Sequence, residues 1–446
     1  MMNAIYALGA FILAIIVWNA VLKRNIGEAM AVGFLVTAAF AGSDALAVGW
    51  KSLVDGLKSE ITFAALAFVF VSELLTRTGL VGRMVDILSS VLGRRRGGSA
   101  YAATVASGLF GAVAHNGAAI VATIGSITIP WMKRSKASGE TAALVLSGNA
   151  GVGATFPFSG AFFVLLAAPT VLPVLSAGDI VAAMFVTGIW MVLMRVIIAA
   201  AIIRKRGVGA MAEADIRPLR TSFRAGWPSL VVLASIALPI IVASGSLVFN
   251  RTGLDADDVI PLLIWLPVVM LLVGLVVERR ALPRGRSQWW SLLGDVSPKL
   301  GLVGMTMIAA FAASNVLNTL GLGKQLTPFL TGLTGVPQVV AAIVVGVIIV
   351  VVAGPLNTTS TVAAVGPVAF VALTTAGIPP AVAFAAILVW ASSEGCSPPG
   401  AAPLYVAAGI AEINPVRIFV PVVLYYLIPT LVTGILLAVG VLWIPT

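Results

Sequence analysis

Residues 148–162 read GNAGVGATFPFSGAF and residues 391–403 read ASSEGCSPPGAAP, and each stretch interrupts a long apolar segment. The two segments, 139–176 and 381–413, are too long for one plain helix, because about 20 apolar residues already cross about 30 Å of hydrocarbon. Proline, glycine and serine at the middle of such a segment are typical of a membrane crossing that is broken near its centre. The sequence therefore predicts two broken membrane helices.

The composition around these stretches is that of a polytopic membrane protein. Of the 446 residues, 60% are hydrophobic and 10% are charged, whereas a soluble domain has about 25% charged residues. A water-soluble enzyme is therefore excluded, and the alternating polarity of a β-barrel strand is absent from the sequence. The formal net charge of +10 comes from short loops between apolar runs, which indicates membrane orientation and not nucleic-acid binding.

The other apolar segments divide into plain spans and hairpins. Two of them, 98–132 and 338–374, are interrupted by AHNGA (114–118) and GPLNTTST (354–361), which leave about half a membrane thickness on either side. These two are predicted to be re-entrant helical hairpins. Plain spans, the first of them expected to be retained at the N-terminus, are predicted at 2–22, 27–48, 60–75, 178–203, 227–249, 258–278, 299–319 and 416–444.

Spacing between the hairpins and the breaks suggests an internal duplication. Asn116 precedes Pro157 by 41 residues, and in the second half Asn357 precedes Pro398 by the same number, so both pairs are related by an offset of 241. Hairpin, linker and broken helix also recur in one order. The predicted organisation is a first repeat over 1–203, a cytoplasmic linker over 204–226 and a second repeat over 227–446.

Basic residues set the orientation of the two repeats. Of the 27 lysines and arginines, 22 fall on one side of the predicted spans, and this side is expected to be cytoplasmic, with the N-terminus periplasmic. Arg195 alone lies inside a span, and we expect it to reach the inner surface by snorkelling. Each repeat has five crossings, one of them broken, plus one hairpin. Because five is odd, the second repeat enters the membrane inverted, and the fold is all-α with two inverted repeats.

Interrupted helices at mid-membrane depth are where ions and substrate can bind. Unwound carbonyls and Asn, Ser and Thr oxygens suit an alkali cation, and half-helix N-termini suit an anion. Two cation sites are predicted, one from Asn116, Gly117, Gly153 and Thr155, the other from Asn357, Thr358, Gly395 and Pro398. An anionic substrate is expected to contact His115, Asn116, Ser159, Thr358, Thr359 and Ser397.

Ionisable side chains in these loops leave alternatives open. His115 is a candidate to bind substrate or carry a proton, and a structural role is equally compatible with its position. Glu394 is a candidate to neutralise a bound cation, to relay a proton or to pair with a neighbouring amide. Cys396 has no evident basic partner, which argues against a reactive thiol.

Three stretches of the sequence resemble a known family. Residues 107–135 (SGLFGAVAHNGAAIVATIGSITIPWMKRS), 151–163 (GVGATFPFSGAFF) and 354–421, with its proline pair and GIA motif, are similar to the large membrane subunit of TRAP (tripartite ATP-independent periplasmic) transporters. The likeness covers nearly the whole chain. It departs from the family at His115–Gly117, where the tip is usually Ser-rich, at Phe158, where a second proline is usual, and at Ser397, where Thr is usual. Substrate identity is therefore open.

The resemblance implies an ion-transporter-superfamily fold that works as an elevator, in which the hairpins and broken helices carry the site past a scaffold. It implies coupling to sodium ions at two sites and uptake of a small carboxylate such as a C4-dicarboxylate. It also implies a bacterial cytoplasmic (inner) membrane location, a separate four-span small subunit and a periplasmic substrate-binding protein as partners.

Two other functions remain open from the sequence. One is a stand-alone organic anion carrier, coupled to protons or sodium, that needs neither partner. The other is an intramembrane enzyme with Ser159, His115 or Cys396 as nucleophile or base. No Ser-His-Asp arrangement with supporting spacing occurs, so we do not expect an enzyme. The absence of a P-loop sequence indicates that ATP is not the energy source.

Overall fold

Every regular element of the described chain is a helix, as the sequence predicts. The structure is a computed structural model that describes residues 3–446 apart from 115–116, 212, 214–215, 236–237, 239–261, 323, 326–334, 355 and 399–400. Within these residues, five helices are long and apolar enough to cross a membrane. A bent pair, Gly42–Leu57 with Glu60–Arg77, makes a sixth if it is counted as one span.

The first half begins with short helices and ends with a long one. In chain order these are α1 (Asn3–Ile16), α2 (Ile26–Ala39), α3 (Ala45–Leu57), α4 (Glu60–Arg77), α5 (Leu80–Leu92), α6 (Gly98–Ala114), α7 (Gly117–Arg134), α8 (Gly139–Asn149), α9 (Gly160–Leu166) and α10 (Ala177–Arg206). The predicted span 27–48 is wrong at its end, because α2 stops at Ala39. Gly42, with φ +62°, turns the chain there in a conformation that favours glycine.

The second half has the same kinds of element. Its helices are α11 (Leu219–Ala234), α12 (Leu262–Val277), α13 (Arg286–Thr319), α14 (Gln338–Val352), α15 (Thr358–Thr375), α16 (Pro380–Ala391), α17 (Ala402–Ala411), α18 (Phe419–Val422) and α19 (Ile428–Ala438). The span predicted from residue 299 is too short, because α13 starts at Arg286 and continues through Pro298. The first turns of α11 lie inside the segment 204–226 that was expected to be linker.

Both predicted hairpins are pairs of packed helices. Helix α6 packs against α7, and α14 packs against α15; the first tip, residues 115–116, lies outside the described residues. Both predicted breaks are present as well. Helix α8 passes into a 3-10 segment, Ala150–Thr155, before α9, and α16 passes into another, Ser392–Cys396, before α17.

Corresponding helices in the two halves keep one spacing. Helices α7 and α15 both have 18 residues, and their first residues, 117 and 358, are 241 apart (358 − 117). Helices α8 and α16 begin at 139 and 380, which gives the same difference. The element bounds therefore follow the offset that the sequence predicts.

The broken helices form the centre of the molecule. Every residue of α8 is buried, and α16 is buried from Ala381 to Ala391, which is expected for helices that are apolar on all faces. Around them lie α6, α7, α10, α17 and α19, while α1 to α4 pack with α13 in a separate layer. The two breaks therefore lie within the central layer.

The segment after α10 is hydrogen-bonded to the base of the first hairpin. The N–H of Gly209 donates to the carbonyl of Ser135, and the carbonyl of Gly209 accepts from the N–H of Gly97, both at 2.8 Å. Met211 donates to the carbonyl of Gly93 at 3.0 Å. This part of the connecting segment is thus tied to both ends of the hairpin.

Arg195 does not snorkel, contrary to the expectation from the sequence. Its side chain in α10 is 1% exposed. The helix turns this residue toward α16 and the C-terminal helices, against which α10 packs, and so the guanidinium is directed into the protein.

Candidate functional site

The two broken helices meet at their breaks. The hydroxyl of Ser147 donates to the carbonyl of Gly395 at 2.5 Å, and the thiol of Cys396 donates to the carbonyl of Gly148 at 3.7 Å. All four residues are buried. Side-chain donors from each half therefore satisfy backbone carbonyls that the other half has left free by unwinding, as buried backbone requires.

Gly151 and Ser392 are in direct contact at the same junction. A Cβ added to Gly151 would overlap the carbonyl oxygen of Ser392, so only glycine fits at this position. The two residue numbers differ by 241, the offset that relates the halves. The contact thus joins two positions that the predicted duplication pairs with each other.

Glu394 lies between the first residues of two hairpin helices. Its Oε2 accepts a hydrogen bond from the N–H of Thr358 and another from the Thr358 hydroxyl, each at 2.8 Å. Its Oε1 lies so close to Gly117, the first residue of α7, that a Cβ there would collide with it. The half-buried carboxylate is therefore placed at the positive ends of α15 and α7, where an anion is stabilised.

The start of α15 is capped by its own side chain. Asn357 is the N-cap residue, and its Oδ1 accepts from the N–H of Ser360 at 2.9 Å. Asn357 is exposed, whereas Thr358 is 6% exposed. In this arrangement the backbone N–H of Thr358 is free of helix bonds and is available to Glu394.

Ser159 and Thr359, both predicted to contact substrate, lie close together. Ser159 is the N-cap of α9, and its hydroxyl accepts from the N–H of Phe162 at 3.0 Å. A Cβ on the next residue, Gly160, would lie 3.4 Å from the hydroxyl oxygen of Thr359. The structure thus brings the start of α9 in the first half beside the start of α15 in the second.

The first predicted cation site is partly assembled. Gly117 lies beside the carbonyl of Ala150, at the start of the 3-10 segment that contains Gly153 and Thr155. Gly153 packs directly on the backbone of Gly111 in α6. The hydroxyl of Thr155 donates to the carbonyl of Val152 at 2.7 Å, and its oxygen can still coordinate. The remaining residue of this set, Asn116, lies outside the described residues, as does His115 of the predicted substrate site.

The second predicted set is only partly brought together. Thr358 meets Glu394, but the Gly395 carbonyl points at Ser147 of the first half and not at the hairpin tip. The hydroxyl of Ser397 donates to the carbonyl of Ser393 at 2.9 Å and is buried. Pro398 is half-buried and is followed directly by residues outside the description.

Two side-chain oxygens, one at the first break and one in the second hairpin, were missed by the sequence reasoning. The Oδ1 of Asn149 and the hydroxyl of Ser360 are buried and have no hydrogen-bond partner, although the amide nitrogen of Asn149 donates to Thr104 at 3.0 Å. Unused buried oxygens are rare and are candidates to bind an ion or water. Asn149 could have been found from the sequence as an amide at the end of an apolar helix.

Aromatic rings enclose the first break. Phe158 stacks on Phe68 with ring centroids 4.6 Å apart and meets Phe162 edge-on at 5.7 Å. Its φ is +70°, a strained value for an aromatic residue. Proline cannot adopt this angle, because its ring holds φ near −65°. The absence of a second proline after Pro157 therefore has a conformational reason in this chain.

The chain is similar to known proteins in both sequence and structure. The family described as "Tripartite ATP-independent periplasmic transporter, DctM component" matches residues 6–444. The chain is 26% identical over 231 residues to an uncharacterized protein, YgiK, of Salmonella typhimurium, covering 51% of each chain. It is 29% identical over 174 residues to the C4-dicarboxylate TRAP transporter large permease protein DctM of Pseudomonas aeruginosa, covering 39% of this chain and 40% of that protein.

The matched part thus spans about half the length of the first relative and less of the second. Among solved structures, the YdaH transporter of Alcanivorax borkumensis has a similar fold, with a TM-score of 0.67 over 90% of this chain and 89% of that one. The sequence identity in that comparison is 18%, so the likeness concerns the fold alone.

Proposed function

Because its match to the family covers residues 6–444, the chain belongs to the DctM components of TRAP transporters, and we propose that it drives sodium-coupled uptake of a small organic acid as the large membrane subunit. The resemblance found in the sequence is confirmed by this membership. The family is one of transporter permeases, which agrees with the expectation that the chain is not an enzyme. The chain is accordingly a multi-pass protein of the inner membrane.

One observation carries the proposal: the carboxylate of Glu394 lies between the first residues of α7 and α15. These residues belong to the two hairpins, and Glu394 belongs to the second break. Unwound backbone and a fixed negative charge at this depth favour a cation, while the N-termini of the two hairpin helices favour an anion. Such a site can bind a sodium ion and an organic acid together, which is what symport requires.

Sodium is proposed to bind at two places beside the tips. The first takes oxygens from Asn116, Gly117, Gly153 and Thr155, and the second from Asn357, Thr358, Gly395 and Pro398. Support comes from the unused oxygens of Asn149 and Ser360, which are suited to a hard cation. Asn149 is four residues before Gly153 of the first set, and Ser360 is two residues after Thr358 of the second. At the second place, the Gly395 carbonyl would have to leave Ser147 to reach the ion.

The substrate is proposed to lie against His115, Asn116, Ser159, Thr358, Thr359 and Ser397. The proximity of Gly160, the residue after Ser159, to the Thr359 hydroxyl supports this, because the starts of α9 and α15 then adjoin. A C4-dicarboxylate is the first candidate class, since a relative is named for it. Because Glu394 repels a second carboxylate, binding of the acid is expected to require the cation.

Transport is proposed to occur by an elevator movement of two inverted repeats. The direct contact of Gly151 with its counterpart Ser392 supports the repeats, because a residue meets its own counterpart only near a two-fold axis. Reciprocal packing supports them too, since α7 packs on α17 and its counterpart α15 packs on α9. An apolar boundary supports the movement: Leu8, Phe11 and Met30 face Val164 and Ala363 across it.

Two partners are proposed for uptake: a separate four-span small subunit beside the scaffold and a periplasmic protein that delivers the substrate. The N-terminus is proposed to be periplasmic, as the distribution of basic residues indicates. A second candidate, a stand-alone proton- or sodium-coupled anion carrier, is favoured by Glu394 itself, because a half-buried carboxylate between the first residues of α7 and α15 can bind either ion.

Reconstitution in liposomes tests these proposals. Uptake of radiolabelled succinate is measured with the purified chain alone, with the small subunit and with both partners, under a sodium gradient or an equal potassium gradient. We expect uptake only with both partners and only with sodium. Uptake by the chain alone, abolished by a protonophore, would establish the stand-alone carrier. Equal uptake in sodium and potassium with both partners present would refute sodium coupling.

A further inference from the structure

Arg195 is a buried charge in the middle of the longest span of the first half. It lies within α10, Ala177–Arg206, and is among the largest fully buried side chains of the protein. Its guanidinium does not reach the outer surface of the protein, because the side chain is 1% exposed. An ionisable group at this depth requires a partner or a function.

No partner for Arg195 exists within the part of the chain that the structure describes. Its Nε, Nη1 and Nη2 atoms are all buried and make no hydrogen bond, and it forms no ion pair there. The side chains that interact electrostatically with it are Cys396 and Tyr426. Glu394 is not one of them and is engaged with Thr358. A guanidinium left in this state is strongly unfavourable, so a neutralising group is required.

Two buried hydroxyls of the C-terminal helices, which α10 contacts, are also unused. The hydroxyl of Tyr426 and that of Thr430 are buried and have no hydrogen-bond partner. Tyr426 lies in a π-helical turn, Val423–Leu427, directly before α19, and such turns are frequent at functional sites. Thr430 follows four residues later, about one turn along the same face. The Cys396 thiol does not compete, because it donates to Gly148.

The unsatisfied groups are therefore a positive charge and two hydroxyls, all of them able to donate. We propose that Arg195, Tyr426 and Thr430 bind a small monovalent anion of the halide class, and chloride is the ion used in the test below. All three side chains are shut off from solvent, which favours an ion of one atom over a carboxylate attached to an organic framework. The inference does not depend on the proposed function.

The position of this site gives the anion a structural role. The ring of Tyr426 packs on Gly148, where an added Cβ would collide with it, and Gly148 belongs to the first break. Arg195 is on α10, and Cys396 is in the second break. An anion held here joins α10 and the C-terminal helices behind the point where the two breaks meet, and is expected to stabilise the assembled centre.

The proposal is tested by measuring anion binding and thermal stability of the full-length protein in detergent. Wild type is measured at constant sodium concentration while gluconate is replaced by chloride or bromide, and radiolabelled chloride binding is measured directly. We expect saturable binding and a saturable rise in melting temperature. Arg195→Met should lose both, and Tyr426→Phe should bind about tenfold more weakly through loss of one donor. Arg204→Met, at the exposed end of the same helix, should match wild type.

Three results would overturn the proposal. If the wild-type protein binds no radiolabelled chloride, the proposal is overturned. This result needs no variant, so it decides the question even if Arg195→Met does not fold. Equal chloride affinity in wild type and Tyr426→Phe would show that the Tyr426 hydroxyl does not donate to the anion, contrary to the proposal. Saturable stabilisation by acetate that is lost in Arg195→Met would show that the occupant is a carboxylate and not a halide.

Discussion

Glu394 accepts two hydrogen bonds from Thr358, one from its backbone N–H and one from its hydroxyl, each 2.8 Å long. Glu394 lies in the second break and Thr358 begins the second helix of the second hairpin. Its other carboxylate oxygen faces Gly117 of the first hairpin. One charge thus contacts both hairpins, and a cation that binds this carboxylate would act on both of them.

Glu394→Gln should lower the affinity of the transporter for sodium about tenfold, the effect of losing one charge-assisted interaction. The amide oxygen can still accept from Thr358, so the fold should persist. Sodium dependence of uptake in liposomes measures this. Glu412→Gln is the matched control, because Glu412 lies exposed at the end of α17, where its side chain is 86% exposed. If both variants have wild-type sodium dependence, Glu394 does not take part in cation binding.

Gly151→Ala should destabilise the protein by about 1 to 3 kcal/mol or prevent its assembly, as overpacking of a core does. The new methyl group would press on the carbonyl of Ser392 and separate the two breaks. Gly409→Ala in α17 is the control, since a Cβ there meets nothing within 4 Å and alanine favours a helix. Melting temperatures in detergent make the comparison. Equal stability of the two variants would contradict the contact.

Asn116→Leu and Asn357→Leu should each abolish sodium-dependent substrate binding while the protein still inserts. Leucine removes the oxygen that a cation would use, and at Asn357 it also removes the cap on α15, at a cost of about 1 kcal/mol. Asn25→Leu controls for the cap, because Asn25 caps α2 in the same way, at 2.9 Å from the N–H of Glu28. Unchanged sodium-dependent transport in both Asn116→Leu and Asn357→Leu would refute the two proposed cation sites.

Phe158→Pro should destabilise the first break more than Phe158→Leu, although it restores the proline pair usual in the family. Proline cannot adopt the φ of +70° found at this position, whereas leucine can at a cost and loses only the stacking on Phe68. Thermal unfolding of the two variants measures the difference. A Phe158→Pro protein as stable as Phe158→Leu would mean that the backbone at this position is not held in the left-handed region.

Much of the fold was predictable because it depends on local hydropathy. The breaks at 148–162 and 391–403 stand out as polar and glycine-rich stretches within apolar runs, and the structure has 3-10 segments there. The hairpins follow from the same logic. The end of α2 and the start of α13 at Arg286 were not predictable, because both depend on a turn and on packing that hydropathy does not record.

The candidate site was predictable only in part. The sequence identified Thr358 and Glu394 separately, and the arrangement between them needed two segments 36 residues apart to fold together. The Gly395 carbonyl was assigned to a cation, yet in the structure it is occupied by Ser147 of the other half. Asn149 is recognisable in the sequence as an amide at the end of an apolar helix, but only the fold shows that its oxygen has no donor.

The sequence by itself determined that this chain is a helical membrane protein with paired hairpins and broken crossings, since water and lipid select such segments by composition over short distances. Only the tertiary structure decided that Arg195 turns inward and that Glu394 lies between the first residues of α7 and α15. The reason is that the direction of a charged side chain in a membrane depends on which distant helices cover it, and that choice is made by packing between parts of the chain that are remote in sequence.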